Sequence, residues 1–128
     1  MLTRYKMRYM KSLPKEAPEA AEGAIRQDTR KHTKHCLRPT QELVERYQAN
    51  NCTWDEFADE YGALLNARFS EDCRAFDELA RLAMEGDVFL GCSCPTQQNP
   101  DVTHCHTVLA LRFMQEHYPL LTIKLPIA

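Results

Sequence analysis

The chain has 128 residues and a mass of 14.8 kDa, with 44% hydrophobic and 27% charged residues, which excludes collagenous, low-complexity and wholly disordered chains. A length of this order suits one domain with a core large enough to stand without staples. The formal net charge of −2 hides a division near residue 40: ten Lys and Arg face four Asp and Glu before it, and six face fourteen after it.

The basic arm invites an anionic partner, either a small anion or nucleic acid, although it carries no helix-turn-helix or finger pattern. Its bland counterpart is an arm that solvates or packs on its own acidic helices. No run of about 18 apolar residues is present, so no membrane partner is expected. The basic start MLTRYKMRYMKSLPK lacks the apolar stretch of a secretory leader. A cytoplasmic protein is therefore expected, and its six cysteines read as thiols or metal ligands rather than as a disulfide framework.

In chain order, residues 2–10 alternate as a strand does, with Tyr5, Met7 and Tyr9 on a face that can meet a core. Residues 12–38 are a poorly readable basic region, with Pro14 and Pro18, some helix propensity around Ala20 to Ile25, and a polar loop through His32, His35 and Cys36. From Pro39 a short helix presents Leu43, Val44 and Tyr47 on one stripe. Thr53 and Glu56 form the pattern of a capping box before a helix bearing Trp54, Phe57, Tyr61, Leu64 and Leu65, expected to run through Arg68. Trp54 reads as a core anchor. Ser70 is expected to cap the next helix, whose buried face is Phe76, Leu79, Ala80 and Ala83 and which stops at Gly86.

Asp87 to Cys92 is short and apolar and reads as a strand, ended by Cys94-Pro95. Thr103 is expected to cap a helix whose first turn holds His104, Cys105 and His106, and Leu120 to Leu125 reads as a last strand. Helices feeding short apolar strands point to α/β architecture. The expectation is one domain over residues 1–128: a small three-layer Rossmann-like α/β domain with a short, mostly parallel sheet flanked by helices.

One constellation carries chemistry. Cys92-x-Cys94, nine residues, and then His104-Cys105-His106 place sulfur and imidazole at a strand end, where open α/β sheets bind ligands. Cys92, Cys94, Cys105 and His106, with His104 as the alternative fourth ligand, are the right donor types for tetrahedral zinc. A closed sphere would be structural, whereas an open position would activate water. Thiol chemistry at Cys105 with His106 is a second reading, helped by the helix start. Small buried hydrophobes with a satisfied histidine are the third. His32, His35 and Cys36 form a looser cluster, an outlying ligand source or solvated surface. Cys52 and Cys73 read as structural. The carboxylates Asp55, Glu56, Asp59, Glu60, Glu71, Asp72, Asp77 and Glu78 intersperse with the apolar stripes as a solvated face does.

Trp54-Asp55-Glu56-Phe57 with Tyr61 and Leu64-Leu65, the strand at Val88 to Leu90, Cys105-His106 and the Arg8-Tyr9 pair together resemble the YeaO-like domain-of-unknown-function family, number 488, over residues 4–12 and 53–118. Cys92-x-Cys94 before Cys105-His106 also resembles a related uncharacterised family with a Cys-x-Cys motif ahead of its final helix. The resemblance implies a small intracellular Rossmann-like domain. The chain departs from that pattern at Met10-Lys11-Ser12-Leu13 and at Thr107, which removes two basic groups from any anion site built on them. The functional expectation is a small-ligand or nucleotide-handling protein with a zinc site at the strand end. Its rival is a metal-free accessory protein that binds an acidic partner or nucleic acid through the basic arm.

Overall fold

A computed structural model describes residues 1–7 and 24–126. The expectations for Arg8, Tyr9 and residues 12–23 lie outside these described residues. Three strands, β1 (Leu2–Lys6), β2 (Ile25–Asp28) and β3 (Val88–Cys92), form one parallel sheet in the order β1-β3-β2. The central strand β3 reads VFLGC and every residue of it is buried, as a strand paired on both edges and covered on both faces requires. Its neighbours are set in register by Leu2 opposite Val88, Lys6 opposite Cys92, and Asp28 opposite Gly91.

Four helices follow the expected stripes: α1 (Gln41–Gln48), α2 (Trp54–Glu71), α3 (Arg74–Glu85) and α4 (His106–His117). The capping box at Thr53 and Glu56 is formed in both directions, at 3.1 and 3.0 Å. Leu43, Phe57, Tyr61, Leu65, Phe76, Leu79, Ala83, Leu111 and Met114 close one core against Leu2, Val88 and Leu90. The opposite sheet face carries a smaller cluster of Tyr5 and Phe89 with Met1, Met7 and Ala24. Tyr5 and Met7 therefore do face apolar neighbours, but the main core takes Leu2 from the other face of the strand. All eight helix carboxylates noted above are exposed, as a solvated face should be.

Several boundaries differ from expectation. Helix α2 runs past Ser70 to Glu71, because Phe69 still packs against the core, so Cys73 rather than Ser70 precedes α3. Strand β2 was hidden in the polar stretch IRQD, which takes its extended form from pairing with β3 rather than from an apolar pattern. Residues 120–125 form no full strand. Ile123 makes a single parallel bridge to Leu2, through bonds of Leu2 N–H to Thr122 O and Lys124 N–H to Leu2 O. Thr103 does not cap α4. It lies in a 3-10 turn, Val102–His104, opened by Asp101, and Cys105 is extended (φ −122°, ψ 142°), so α4 begins at His106.

Two features of this frame position the site. A Cβ at Gly91 would lie 2.6 Å from Met7 Sδ and 3.1 Å from Tyr5 Cε1, so a larger residue just before Cys92 would have to displace the Met7 side chain. The segment carrying Cys36 to Arg38 is tied to α2. The fully buried Tyr61 hydroxyl donates to Leu37 O at 2.6 Å, and Arg68 Nη1 donates to the carbonyls of Cys36 and Arg38 at 2.9 and 2.6 Å.

Replacing Tyr61 by Phe removes only the hydroxyl while keeping the ring, and leaves the buried Leu37 carbonyl without that donor. The unfolding free energy is expected to fall by about 1–2 kcal/mol, seen as a lower urea midpoint at unchanged slope. An unchanged midpoint would show that the bond contributes nothing net.

Candidate metal centre and ligand cavity

The carboxyl end of β3 delivers Cys92, the following loop delivers Cys94, and the residue before α4 delivers Cys105. Their three sulfur atoms lie within 4.8 Å of one another, and they are the group of three or more such donors that meets this spacing among the described residues. Cys92 and Cys105 are buried and Cys94 is half-buried. Zn–S bonds of about 2.3 Å in a tetrahedron would set sulfurs about 3.8 Å apart, so only a small contraction separates this arrangement from a metal-binding one.

His106, the first residue of α4, lies against the same cluster. Its Nδ1 is 3.6 Å from Cys92 Sγ, while Nε2 is 2.9 Å from Thr29 Oγ1 and 3.0 Å from Thr29 O. The Thr29 hydroxyl proton is committed to Gly91 O at 3.0 Å, so both Thr29 oxygens accept from His106. That network places the imidazole proton on Nε2 and turns the Nδ1 lone pair toward sulfur. Burial holds the ring neutral, lowering its pKa from 6.5 to about 4.

The thiols differ in their readiness to ionise. Hydrogen bonds from Cys105 and Cys92, with a further donor at Asn99 Nδ2 3.4 Å away, pull Cys94 far below the ordinary thiol range. Cys92 is pushed up by the same sulfur contacts and by burial. At Cys105 the bond with Cys92 lowers the pKa, but the Cys94 contact and burial prevail and raise it to about 11. The cluster thus favours a thiolate at Cys94, flanked by two thiols.

A buried cation adjoins it. Arg4, only 5% exposed, donates through Nε to Thr107 Oγ1 at 3.0 Å and through Nη2 to the carbonyls of Tyr5 and Cys94. Thr107 Oγ1 donates onward to Cys105 Sγ at 3.0 Å. Thr107, which stands where the resembling family often has arginine, links an arginine from β1 to the sulfurs.

Above the sulfurs opens a cavity of about 850 Å³. Trp54 lines it, half-buried rather than sealed in the core. Its ring stacks on Phe57 (centroids 5.2 Å apart, 12° between planes) and on His104 (4.8 Å, 17°). His104 therefore sits in the aromatic wall, with Nε2 3.7 Å from Asp101 Oδ2. His32 is on the rim, 3.7 Å from Asp28. His35 is a scaffold residue. Its Nδ1 accepts from Leu37 N–H at 3.1 Å, its Nε2 pairs with Gln27 Oε1 at 2.6 Å, and burial lowers its pKa to about 4. Burial also raises the Cys36 thiol to about 11. Cys52 packs against the core, and Cys73 donates to Asp77 Oδ2 at 3.3 Å.

The structure brings together the three cysteines and His106 that the sequence singles out, and adds Thr29, Arg4 and Asn99, which the sequence does not, as well as the contact of Trp54 with the cavity. Arg4 gave no signal, because it alternates with Lys6 and Arg8 as the charges of a solvated strand face do. Thr29 and Asn99 had none either, since polar residues in polar loops reveal their role only once the loops are closed over the sheet.

Residues 3–118 match the sequence profile of the family described as the active DUF488-N3 subclade. No curated protein and no solved structure matches the chain.

The depressed histidines make stability depend on pH. The unfolded chain takes up protons at His35 and His106 near pH 6.5, whereas the folded chain refuses them until about pH 4. Stability is therefore full above pH 6.5 and is lost as pH falls from there toward 4. Chemical denaturation of the metal-free protein at pH 7 and pH 4.5 should differ by on the order of 5 kcal/mol, shared between the two histidines. A His35→Gln variant should show a smaller difference, and a flat profile for the unaltered protein would refute the assignment.

Proposed function

We propose that the chain, which belongs to the DUF488 family, is a small-ligand-binding protein in which Cys92, Cys94 and Cys105 hold a zinc ion at the floor of the cavity. The observation that carries this reading is the convergence of three sulfurs from three separate chain positions at the floor of one cavity. Soft thiolates select zinc over hard cations such as magnesium or calcium. His106 is the natural fourth ligand, because Thr29 already holds its Nε2 proton and leaves Nδ1 as a donor beside Cys92. Arg4 offsets the negative charge that three thiolates bring, and Asn99 orients Cys94 by bonding both its sulfur and the carbonyl of His104.

Displacement of the protons of Cys92 and Cys105 by a metal is the usual coupling of metal binding to thiol ionisation. Zinc here would also tie the end of β3, the 93–101 loop and the start of α4 to one point, which adds stability in proportion to metal occupancy.

Protein purified without chelator is expected to carry close to one zinc per chain by elemental mass spectrometry. Cys94→Ser is expected to lose most of it and to melt several degrees lower, while chelation of the unaltered protein reproduces the lower melting temperature. Zinc-free protein that also fails to take up zinc on reconstitution would overturn this reading and leave the sulfurs as a thiol cluster.

A further inference from the structure

The walls of the cavity differ in chemistry from one side to the other, and together they describe an occupant. One wall is aromatic: Tyr47, Trp54 and His104, with Tyr47 and Trp54 rings 5.6 Å apart and Trp54 and His104 nearly parallel at 4.8 Å. The rim on the turn after β2 is cationic, with Arg30 and Lys31 side by side. Among the described residues that line the cavity there is no Asp or Glu, although the chain has 18 of them. Neutral amides, Gln48, Gln97 and Gln98, fill much of the remaining lining. The volume of about 850 Å³ lies within the ordinary range for a small-molecule site, about 300–1,000 Å³.

Each wall answers a different part of one ligand. Phe57 and His104 already stack on Trp54, which leaves the half-exposed His104 ring, backed by Trp54, and Tyr47 as the π-surface for a heterocyclic base, a contact that gains about 1–3 kcal/mol. Amides supply both donors and acceptors, as the edge of a base requires. A basic rim suits a phosphate, and each of its two cations has its carboxylate partner outside the lining, Asp28 for Arg30 and Glu45 for Lys31. Arg30 is held in place by Asp28, through Nε at 3.0 Å and Nη2 at 2.9 Å, so its planar cation is fixed in direction. Lys31 has only a loose exposed pairing, Nζ to Glu45 Oε1 at 3.9 Å, and pairs of that kind contribute little. A dianionic phosphate would recruit Lys31 from it at small cost.

From this division of the lining we infer that the cavity binds a nucleoside monophosphate, its base against Tyr47 and the Trp54-backed ring of His104 and its phosphate at Arg30 and Lys31. The inference rests on the small-ligand reading above and names the ligand class. It does not require the metal, since none of these groups is a sulfur ligand.

Trp54 is the single tryptophan of the chain, which makes its fluorescence a direct report on the cavity. The full-length protein, with its zinc content measured on the same sample, is titrated with a panel of nucleoside 5′-monophosphates, the matching nucleosides, inorganic phosphate and a short single-stranded oligonucleotide. Saturable quenching is expected with at least one monophosphate, with at least tenfold weaker binding of its nucleoside and no quenching by phosphate. Lys31→Glu should weaken the monophosphate at least tenfold and leave the nucleoside unchanged. His104→Ala should weaken both alike, and melting curves of the two variants check that they fold.

The inference is overturned if no monophosphate saturates the signal at millimolar concentration, or if phosphate alone competes as well as the nucleotide. It is also overturned if Lys31→Glu leaves nucleotide affinity unchanged, or if only the oligonucleotide binds. Zinc retained without nucleotide binding sinks this inference alone. Nucleotide binding by a chain that takes up no zinc sinks the metal reading alone.

Discussion

The arrangement of the site turns on a buried hydrogen-bond junction at Thr29. Its N–H and its hydroxyl both donate to Gly91 O, at 3.1 and 3.0 Å, and its two oxygens receive His106 Nε2. Three chain segments therefore meet at one residue: the end of β2, the end of β3 and the first turn of α4. Each of these groups is buried, and leaving any one unpaired would cost about 1–3 kcal/mol, so the junction is made as a unit or not at all. Because Gly91 precedes Cys92 and His106 follows Cys105, closing the junction also fixes the separation of those two sulfurs. The metal-competent spacing is thus a consequence of backbone and imidazole hydrogen bonding that contains no sulfur.

The second constraint is electrostatic. Arg4 brings a positive charge to a site 5% exposed, and a buried guanidinium is tolerated only where hydrogen bonds and opposite charge compensate its lost hydration. The carbonyls of Tyr5 and Cys94 and the Thr107 hydroxyl provide the former, and the sulfur cluster, with its strongly favoured Cys94 thiolate, provides the latter. The influence runs both ways, since Arg4 is among the groups that draw the Cys105 thiol downward. It also joins burial in keeping His106 neutral. The neutral imidazole owes most to its burial and the ionised sulfur to the hydrogen bonds of its neighbours, and Arg4 on β1, two strand positions beyond Leu2, reinforces the first.

How much of this was legible in the sequence depended on the range of the interaction involved. The stripe of α3 and the capping box at Thr53 are local, because residues three or four apart decide them, and both formed where periodicity placed them. β3 was legible for a related reason: a short apolar run bounded by a helix stop and a Cys-Pro step leaves few alternatives. Strand β2 was not, since IRQD has no apolar alternation and is extended only because β3 offers it an edge. The start of α4 was misplaced by two residues because Asp101 captures the Thr103 N–H at 2.9 Å, making Thr103 part of a 3-10 turn instead of a cap. At the site, cysteine spacing announced the sulfurs, whereas Thr29 and Arg4 act across 62 and 103 residues of chain and left no local trace. Trp54 packs against the core as its place in the stripe suggests, but it also lines the cavity, and periodicity does not show that a stripe residue at a helix start does both.

The charge division of the chain finds its physical explanation in the folded surface. Most of the acidic residues that make the second part of the sequence negative lie exposed on or between α2 and α3, and several are matched there by arginines such as Arg74 with Asp72 and Arg81 with Glu78 and Glu85. The cationic turn at Arg30 and Lys31 lies instead against α1 and the cavity mouth, with Glu45 and Asp28 within reach but outside the lining. Exposed charges farther apart than about 8–10 Å are largely screened at physiological ionic strength, but Asp28 and Glu45 stand 2.9 and 3.9 Å from these cations and act on the mouth as directly as its own walls do. A phosphate there would bind by exchange, taking Lys31 from its loose pairing with Glu45 while Asp28 keeps Arg30 in direction. The orientation of a ligand with a phosphate at one end is therefore set by that exchange at the mouth together with the negative sulfurs at the floor, which repel it.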